Sequence, residues 1–249
     1  MNNPANRRTG DKIHIDGSYQ YNAFYKGNRI QRFWHFAKLE EARRDLAIAD
    51  GDTILDAGCG SGLLSFFLAR DANAEVWGID ANPSAIAFCK STYQLPHLHF
   101  EQQLIDDPFF APGYFNKIVS LEVLEHLSAD QGYLVISRFY ELLPPGGKLV
   151  ISTPNRKSLW PAIEFVLDKC KLVPNLQEGQ HELLYSGKQL EAVAAKAGFD
   201  CISRKTINFI APWMAIFSRR LALAIHRAEI NHQSRLGSLL LYTFQKTNG

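Results

Sequence analysis

Short apolar runs alternate with longer amphipathic stretches along this chain from residue 53 onward. The runs have the length of strands, and the stretches between them carry apolar residues at helical spacing. This alternation is typical of the crossover units that build a parallel sheet. Seven runs are predicted to be strands, and they are Thr53–Asp56, Glu75–Ile79, Leu98–Phe100, Lys117–Leu121, Lys148–Ser152, Cys201–Thr206 and Ser238–Phe244.

Four helices are predicted between these strands, and Gly, Pro or an Asn or Ser cap signal marks their ends. They are Leu63–Arg70, Ser84–Tyr93, Ala129–Leu143 and Lys188–Ala197. Asn82-Pro83 is one such start, with proline at the first helical position. The pattern therefore predicts one α/β domain over residues 49–249, with helices on both faces of its sheet.

Two segments lie outside the alternation. Residues 1–48 include an aromatic and basic stretch, Tyr19–Ile48, which is predicted to be an N-terminal helical arm. Residues 207–235, inserted between the last two strands, combine apolar residues with Arg219 and Arg220, which predicts an amphipathic helical cap. Such a cap can cover the sheet, close over a substrate or contact a membrane surface. The sequence leaves these three roles open.

Composition narrows the class of protein. Of the 249 residues, 46% are hydrophobic, which is enough to bury a core without disulfides or a metal. The 27 Lys and Arg against 25 Asp and Glu give a net charge of +2, which argues against binding nucleic acid by bulk charge.

The four cysteines form no Cys-x-x-Cys pair, which favours a reducing, cytoplasmic location. No signal peptide or membrane span is readable, so we expect membrane contact only at the periphery, through the cap. The sequence does not indicate an oligomeric state.

A glycine-rich turn follows the first predicted strand. The segment reads Asp56-Ala57-Gly58-Cys59-Gly60-Ser61-Gly62, and a helical pattern follows it. Glycines let a backbone turn tightly and approach a ligand closely, and the next helix offers free backbone N–H groups. Asp80 ends the second strand, where an acid can accept hydrogen bonds from ribose hydroxyls. Together the two motifs predict a nucleotide pocket.

The glycine spacing indicates which nucleotide binds. The dinucleotide fingerprint Gly-x-Gly-x-x-Gly/Ala, started at Gly58, would need Gly or Ala at position 63, and the residue there is Leu63. Asp56 would repel a pyrophosphate but would attract a ligand that carries an ammonium group and no phosphate. These features favour S-adenosylmethionine over a nicotinamide dinucleotide.

Two further segments extend this pattern, and they are Ile118-Val119-Ser120-Leu121-Glu122-Val123-Leu124-Glu125-His126-Leu127 and Leu143-Pro144-Pro145-Gly146-Gly147. With the glycine turn and Asp80, they resemble the successive motifs of class I S-adenosylmethionine-dependent methyltransferases over residues 53–206. The chain is most similar to the small-molecule branch typified by ubiquinone-biosynthesis O-methyltransferases. The resemblance implies a Rossmann-like, mostly parallel sheet of seven strands in the order 3-2-1-4-5-7-6, with the last strand antiparallel.

The resemblance also implies a set of cofactor-binding residues. Asp56 and the glycine turn would surround the methionine end, Asp80 the ribose, Ala81 the adenine, and Leu121 the end of the fourth strand. Gln103 stands where the family often has an acid near the adenine amine, and Arg32, in preference to Arg29, would close over the cofactor carboxylate. The complete set is Arg32, Asp56, Gly58, Cys59, Gly60, Gly62, Asp80, Ala81, Gln103 and Leu121.

Acidic residues and histidines follow the fourth strand. Glu122, Glu125 and His126 are spaced i, i+3 and i+4, which on a helical turn would bring them to one face, and His181 is expected from a later loop. Two carboxylates and two imidazoles suit Mg²⁺, Mn²⁺ or Zn²⁺. The pattern resembles the metal site of ubiquinone-pathway catechol O-methyltransferases and of small-RNA 3′-end methyltransferases. It also resembles class I enzymes without metal, in which His126 or His181 would be the general base beside Glu122.

The function predicted from these residues is O-methylation of a small aromatic or lipid-like acceptor, of catechol or quinone-precursor type. The apolar residues Trp160, Phe165, Trp213 and Phe217 suggest the apolar character of that acceptor. One alternative is metal-assisted methylation of a vicinal diol at an RNA end, which the balanced charge does not favour. The other is a regulatory protein that binds the cofactor without turnover.

Overall fold

A seven-stranded mixed sheet forms the centre of the computed structural model, which describes residues 16–158, 183–232 and 236–247. The strands are β1 (Thr53–Ala57), β2 (Glu75–Asp80), β3 (Leu98–Gln102), β4 (Lys117–Leu121), β5 (Lys148–Pro154), β6 (Phe199–Ile207) and β7 (Leu239–Lys246). Their order is β3-β2-β1-β4-β5-β7-β6. The first five strands pair in parallel, and β7 pairs antiparallel with both β5 and β6. The predicted strand order and the antiparallel last strand are confirmed.

Helices cover both faces of the sheet. They are α1 (Tyr19–Tyr25), α2 (Arg29–Leu46), α3 (Leu63–Asp71), α4 (Pro83–Thr92), α5 (Ala129–Leu142), α6 (Gly187–Lys196), α7 (Ala211–Met214) and α8 (Arg219–Asn231). Successive residues of a strand point to opposite faces. Ile54 accordingly packs in one core with Leu46 and Leu68, and Leu55 packs in a second core with Phe139 and Leu190. In the described residues no helix is long and apolar enough to cross a membrane.

Some strands extend beyond their apolar runs. The prediction ends β3 at Phe100 and β5 at Ser152, whereas the structure ends them at Gln102 and Pro154. The reason is that backbone pairing continues into polar positions, since Gln102 still pairs with Asp80. An apolar run in the sequence therefore predicts only the apolar part of a strand and not its polar end.

The N-terminal segment packs into the body of the protein through α2. Asn28 caps this helix in a capping box with Gln31. Leu46 of α2 packs in the sheet core that contains Ile54. Phe33 packs with Ala211 and Ala222 of the α7–α8 insertion. Helix α2 therefore contacts both the sheet core and the inserted helices. The division of the chain at residue 48 stays a prediction.

A buried group of charges joins α2, β6 and α8. The Glu41 carboxylate, 1% exposed, lies 3.2 Å from the Lys205 ammonium of β6 and 3.2 Å from the His226 ring of α8. Burial alone would raise the pKa of Glu41. The hydrogen bond to His226 and the charges of Lys205 and Arg44 outweigh burial and lower it to about 2. Ionised Glu41 therefore stabilises the contact between the insertion and the sheet.

We expect Glu41→Gln to lower the free energy of unfolding at pH 7 by about 3 kcal/mol, because it leaves Lys205 without one of its buried charge partners. A lowered carboxyl pKa stabilises the fold above the unfolded value of 4.5 and ceases to do so as the pH falls toward 2. The difference between variant and wild type should therefore shrink as the pH falls below 4.5. Urea unfolding across this range measures it. Glu40→Gln, on the half-buried side of the same helix, is the control and should cost less than about 1 kcal/mol; equal losses in the two variants would contradict the assignment.

Candidate active site

The turn after β1 is held against the end of β2 by backbone hydrogen bonds. The N–H groups of Gly58 and Cys59 donate to the Ile79 carbonyl at 2.8 and 2.9 Å. Gly58 has φ +79, and a Cβ there would overlap the Val123 side chain. Both observations require glycine at this position. The turn therefore lies close to the residues that follow β4.

Asp80 is oriented by this same turn. One of its carboxylate oxygens accepts the Gly60 N–H at 2.8 Å, and the other accepts the Asn82 N–H at 2.8 Å. Burial raises the pKa of Asp80. Each oxygen keeps a lone pair that could accept a hydroxyl hydrogen. This geometry suits the predicted role on ribose hydroxyls.

Asp56 is a buried carboxyl group at the end of β1. It accepts a hydrogen bond from the Ser65 hydroxyl at 2.6 Å. Burial raises the pKa of Asp56 to about 6, although the Ser65 hydrogen bond opposes that shift. A ligand ammonium group would favour the ionised carboxylate and so would bind best above this pH.

The other predicted cofactor residues lie in the glycine turn or near the ends of the strands. Cys59 lies in the turn and Leu121 at the end of β4, and both are buried. Gly62 is the N-cap residue of α3. Gln103 lies next to Asp80, but its side-chain oxygen already accepts the Phe109 N–H at 2.7 Å. Ala81 follows Asp80 and accepts a bond from Gln102. These assignments to the cofactor stay predictions.

The two arginines considered for the cofactor carboxylate lie on the outer part of α2. Arg32 is exposed, and Arg29 donates to the Ile216 carbonyl at 2.7 Å. Arg32 is six residues before the buried Lys38, so at about 100° per residue it points roughly 120° away around the helix. The role of Arg32 on the cofactor carboxylate stays a prediction.

Glu122 directly follows β4 and has an unusual backbone conformation. Its φ is +55, in the left-handed region, and its N–H donates to the Ser152 carbonyl at 2.9 Å. The predicted helical turn over Glu122–His126 is therefore wrong, because Glu122 still pairs with β5 and only Leu124–His126 form a short 3₁₀ turn. The three side chains do not share one helical face.

The carboxyl groups of Glu122 and Glu125 have different partners. Glu122 forms an ion pair with the ammonium group of Lys38 on α2, and this charge outweighs burial and lowers the pKa of Glu122. Glu125 is buried and accepts the Thr153 hydroxyl at 3.1 Å. Burial, together with the charge of Glu122, raises the pKa of Glu125 to about 8. At neutral pH Glu122 is charged and Glu125 is protonated.

The residues present do not fit the predicted divalent metal. The ammonium group of Lys38 pairs with one of the two carboxylates that a cation would need. Over residues 16–158, 183–232 and 236–247, no group of three His, Cys, Asp or Glu side chains is placed to hold a metal ion. His181, the fourth predicted ligand, lies outside the described residues.

Three residues near Glu122 were not predicted, and all come from the N-terminal segment. Lys38 is buried, and burial together with the Lys38 charge lowers the pKa of His35 to about 3, so that its imidazole is neutral. Burial and the charge of Glu122 raise the pKa of Tyr19. One sequence signal was available, since Lys38 stands beside the apolar Ala37 and Leu39 in an otherwise amphipathic helix. A lysine at such a position indicates a buried charge.

The comparisons with known proteins agree with this geometry. A family model described as a methyltransferase domain matches residues 29–204. A ubiquinone biosynthesis O-methyltransferase of Cereibacter sphaeroides is 36% identical over 185 residues, 68% of this chain and 70% of that protein. The mitochondrial ubiquinone biosynthesis O-methyltransferase of Schizosaccharomyces pombe is 33% identical over 140 residues, 53% of this chain and 50% of that protein.

Solved structures show the same fold at low sequence identity. A SAM-dependent methyltransferase from Archaeoglobus fulgidus superimposes with a TM-score of 0.62 at 17% identity, over 92% of this chain and 99% of that one. A cyclopropane synthase of Mycobacterium tuberculosis gives 0.61 at 18% identity, over 90% and 88%. The strand order, the glycine turn and Asp80 define an α/β enzyme of the class I type. With the family match, the chain belongs to the S-adenosylmethionine-dependent methyltransferases.

We expect Asp80→Ala to weaken binding of S-adenosylhomocysteine by about 100-fold or more. The reason is that the two ribose hydroxyls of the ligand would lose the charged carboxylate to which they donate. Isothermal titration calorimetry measures the change. Asp130→Ala, at an exposed position in the first turn of α5, is the control. Undiminished affinity of the Asp80 variant would remove the basis for placing the ribose here.

The affinity for S-adenosylhomocysteine should also depend on pH through Asp56. Its raised pKa means that the carboxyl is protonated below about 6 and cannot pair with the ligand ammonium group. Affinity should be level above pH 7 and should fall by at most about tenfold per pH unit below 6. Calorimetry of wild type and Asp56→Asn between about pH 5 and 8 tests this. A variant with the same pH dependence as wild type would contradict the role of Asp56.

Proposed function

We propose that this enzyme transfers the methyl group of S-adenosylmethionine to a phenolic oxygen of a small aromatic acceptor of quinone-precursor type. The observation that carries the proposal is the position of ionised Glu122, whose neighbour Val123 contacts the glycine turn. In an open α/β sheet the substrate binds beyond the carboxyl ends of the strands, which is where Glu122 lies. The sequence similarity to ubiquinone biosynthesis O-methyltransferases supports the choice of acceptor.

The cofactor would supply an electrophilic methyl group on a sulfonium sulfur. Asp80 would hold its ribose, and Asp56 would pair with its ammonium group. The remaining work of the protein is to orient the acceptor oxygen in line with the methyl group and to remove its proton. The half-buried carboxylate of Glu122, directly after β4, is available for that proton.

Glu122 is the carboxylate best placed to act as the general base. Its side chain is 27% exposed, so an acceptor can reach it, whereas Glu125 is buried and protonated. His181, proposed from sequence as an alternative base, lies outside the described residues. We assign no metal to the reaction because Lys38 pairs with Glu122.

The helical insertion between β6 and β7 supports a further part of the proposal, which is contact with a membrane surface. Phe217 is 73% exposed, and Ile216 and Leu221 are also exposed beside Arg219 and Arg220. Apolar side chains next to arginines suit an anionic lipid interface. A lipid-like acceptor would be reached from that interface.

We also propose a cytoplasmic location for the enzyme. The free thiols of Cys59, Cys89 and Cys201 support it.

The test is methyl transfer to a panel of catechols and prenylated phenols, with S-adenosylhomocysteine as the measured product. Turnover of at least one ortho-dihydroxy aromatic compound supports the proposal. Methylation of a short RNA, with no turnover of the panel, would replace it with the RNA-end alternative. Cofactor binding without turnover of any of these compounds would favour the regulatory alternative.

We expect Glu122→Gln to lower kcat by about 10²- to 10⁴-fold, because the amide cannot accept the acceptor proton. The Kd for S-adenosylhomocysteine should stay within about threefold of wild type, a change of less than ~1 kcal/mol. Steady-state kinetics and calorimetry on the same preparation separate the two effects. Glu141→Gln, on the exposed end of α5, is the matched control. An unchanged kcat in the Glu122 variant would show that another group takes the proton.

A further inference from the structure

We propose that the ammonium group of Lys38 binds the acceptor oxygen and, together with Glu122, replaces the divalent cation that this Glu and His pattern suggests. The inference rests on the proposed function and names the group that recognises the acceptor. It follows from the position of Lys38, from the unused hydrogen-bond donors of its ammonium group and from the backbone of Glu122.

The burial of Lys38 needs a reason beyond stability. Its side chain is 3% exposed, on a buried helix face that it shares with Ala42 and Glu41. Removing an ammonium group from water is unfavourable, and a buried ion pair often stabilises a fold no better than apolar residues of the same size. An apolar residue at position 38 would serve the packing equally well. A role in binding explains why a lysine is found there.

Lys38 also lies between the two parts of the site. Its ammonium group pairs with Glu122, which directly follows β4. Val123, next to Glu122, contacts Gly58 of the glycine turn. The ammonium group is therefore placed on the side of the pocket where the methionine end, and with it the transferable methyl group, would lie.

The ammonium group of Lys38 has N–H donors that its pairing with Glu122 does not use. In the part of the chain that the structure describes, the Glu122 carboxylate is the one hydrogen-bond acceptor recorded for Lys38, which leaves two of its three N–H groups for a ligand. Glu122 has φ +55, a conformation that a non-glycine residue rarely adopts. Strain of this kind is concentrated at functional sites. The pair presents a donor and an acceptor to one hydroxyl group.

The proposed step balances without a metal. The acceptor hydroxyl donates its hydrogen to the Glu122 carboxylate, and its oxygen accepts an N–H from Lys38. A lone pair of that oxygen forms the new O–C bond, the C–S bond breaks, and its electron pair stays on sulfur. The proton remains on Glu122 and leaves to water, while Lys38 keeps all of its protons. A divalent cation at the same place would be repelled by the ammonium group.

The competing interpretation is that Lys38 and Glu122 only fasten α2 to the sheet. That role predicts lost stability and weakened cofactor binding in a Lys38 variant, with no selective effect on the acceptor. The chain offers a matched control in Lys205, whose ammonium group pairs with Glu41 and Asp45 of the same helix and which we place outside the site. Lys205→Met removes two ion pairs from α2 at a position outside the proposed acceptor site.

The experiment compares wild type, Lys38→Met, Lys38→Arg and Lys205→Met. We expect Lys38→Met to lose about 100-fold or more in kcat/KM for a catechol, with the Kd for S-adenosylhomocysteine within about threefold of wild type. Lys38→Arg should recover part of that loss, and Lys205→Met should keep full turnover. Turnover by wild type should be unchanged by EDTA, and Mg²⁺, Mn²⁺ or Zn²⁺ should give no saturable heat in calorimetry.

A binding measurement keeps the inference testable if a variant folds poorly or turns over slowly. Nitrocatechol, followed by its visible absorbance, should bind the wild-type complex with S-adenosylhomocysteine at least about tenfold more tightly than the Lys38→Met complex. Full catechol turnover by Lys38→Met, or loss of wild-type turnover in EDTA with recovery in Mg²⁺, overturns the role of Lys38 and leaves the proposed function standing. A wild-type enzyme that neither methylates nor binds a catechol overturns both.

Discussion

The hydrogen bond from the Gly60 N–H to the Asp80 carboxylate is the interaction on which the cofactor pocket depends. It joins the turn after β1 to the end of β2, so that two segments far apart in sequence have one fixed relative position. The bonds from Gly58 and Cys59 to the Ile79 carbonyl strengthen the same junction. Because these donors are backbone groups, the pocket is formed by the sheet topology and needs few particular side chains.

The acceptor side is formed differently, by a helix that comes from outside the repeating strand and helix pattern. Helix α2 contributes Lys38 and His35 to the end of β4, and it packs on the sheet core and on the α7–α8 insertion at once. The cofactor half thus uses the turn after β1 and the end of β2, and the proposed acceptor half uses a helix that precedes the sheet in the chain.

The sequence allowed the strand order and the glycine turn next to Asp80 to be predicted well, and the surroundings of Glu122 poorly. The strand order and the antiparallel β7 follow from the resemblance, and the turn and Asp80 follow from local motifs. The pairing of Lys38 with Glu122 joins residues 84 positions apart, which spacing rules cannot relate. The helical turn predicted at Glu122 is wrong because Glu122 has a positive φ and its N–H donates to the Ser152 carbonyl of β5. His181 and Arg32 keep only their sequence arguments.

The position of α2 between two apolar clusters has a consequence for engineering. A chain shortened to the strand and helix repeat would keep the nucleotide turn, but it would expose the apolar surface that Leu46 and Phe33 now cover. It would also lack the only cation that reaches Glu122 from this helix among the described residues. If α2 selects the acceptor as proposed, exchanging acceptor specificity between such enzymes would require moving α2 together with α7 and α8, because the three helices pack as one cluster.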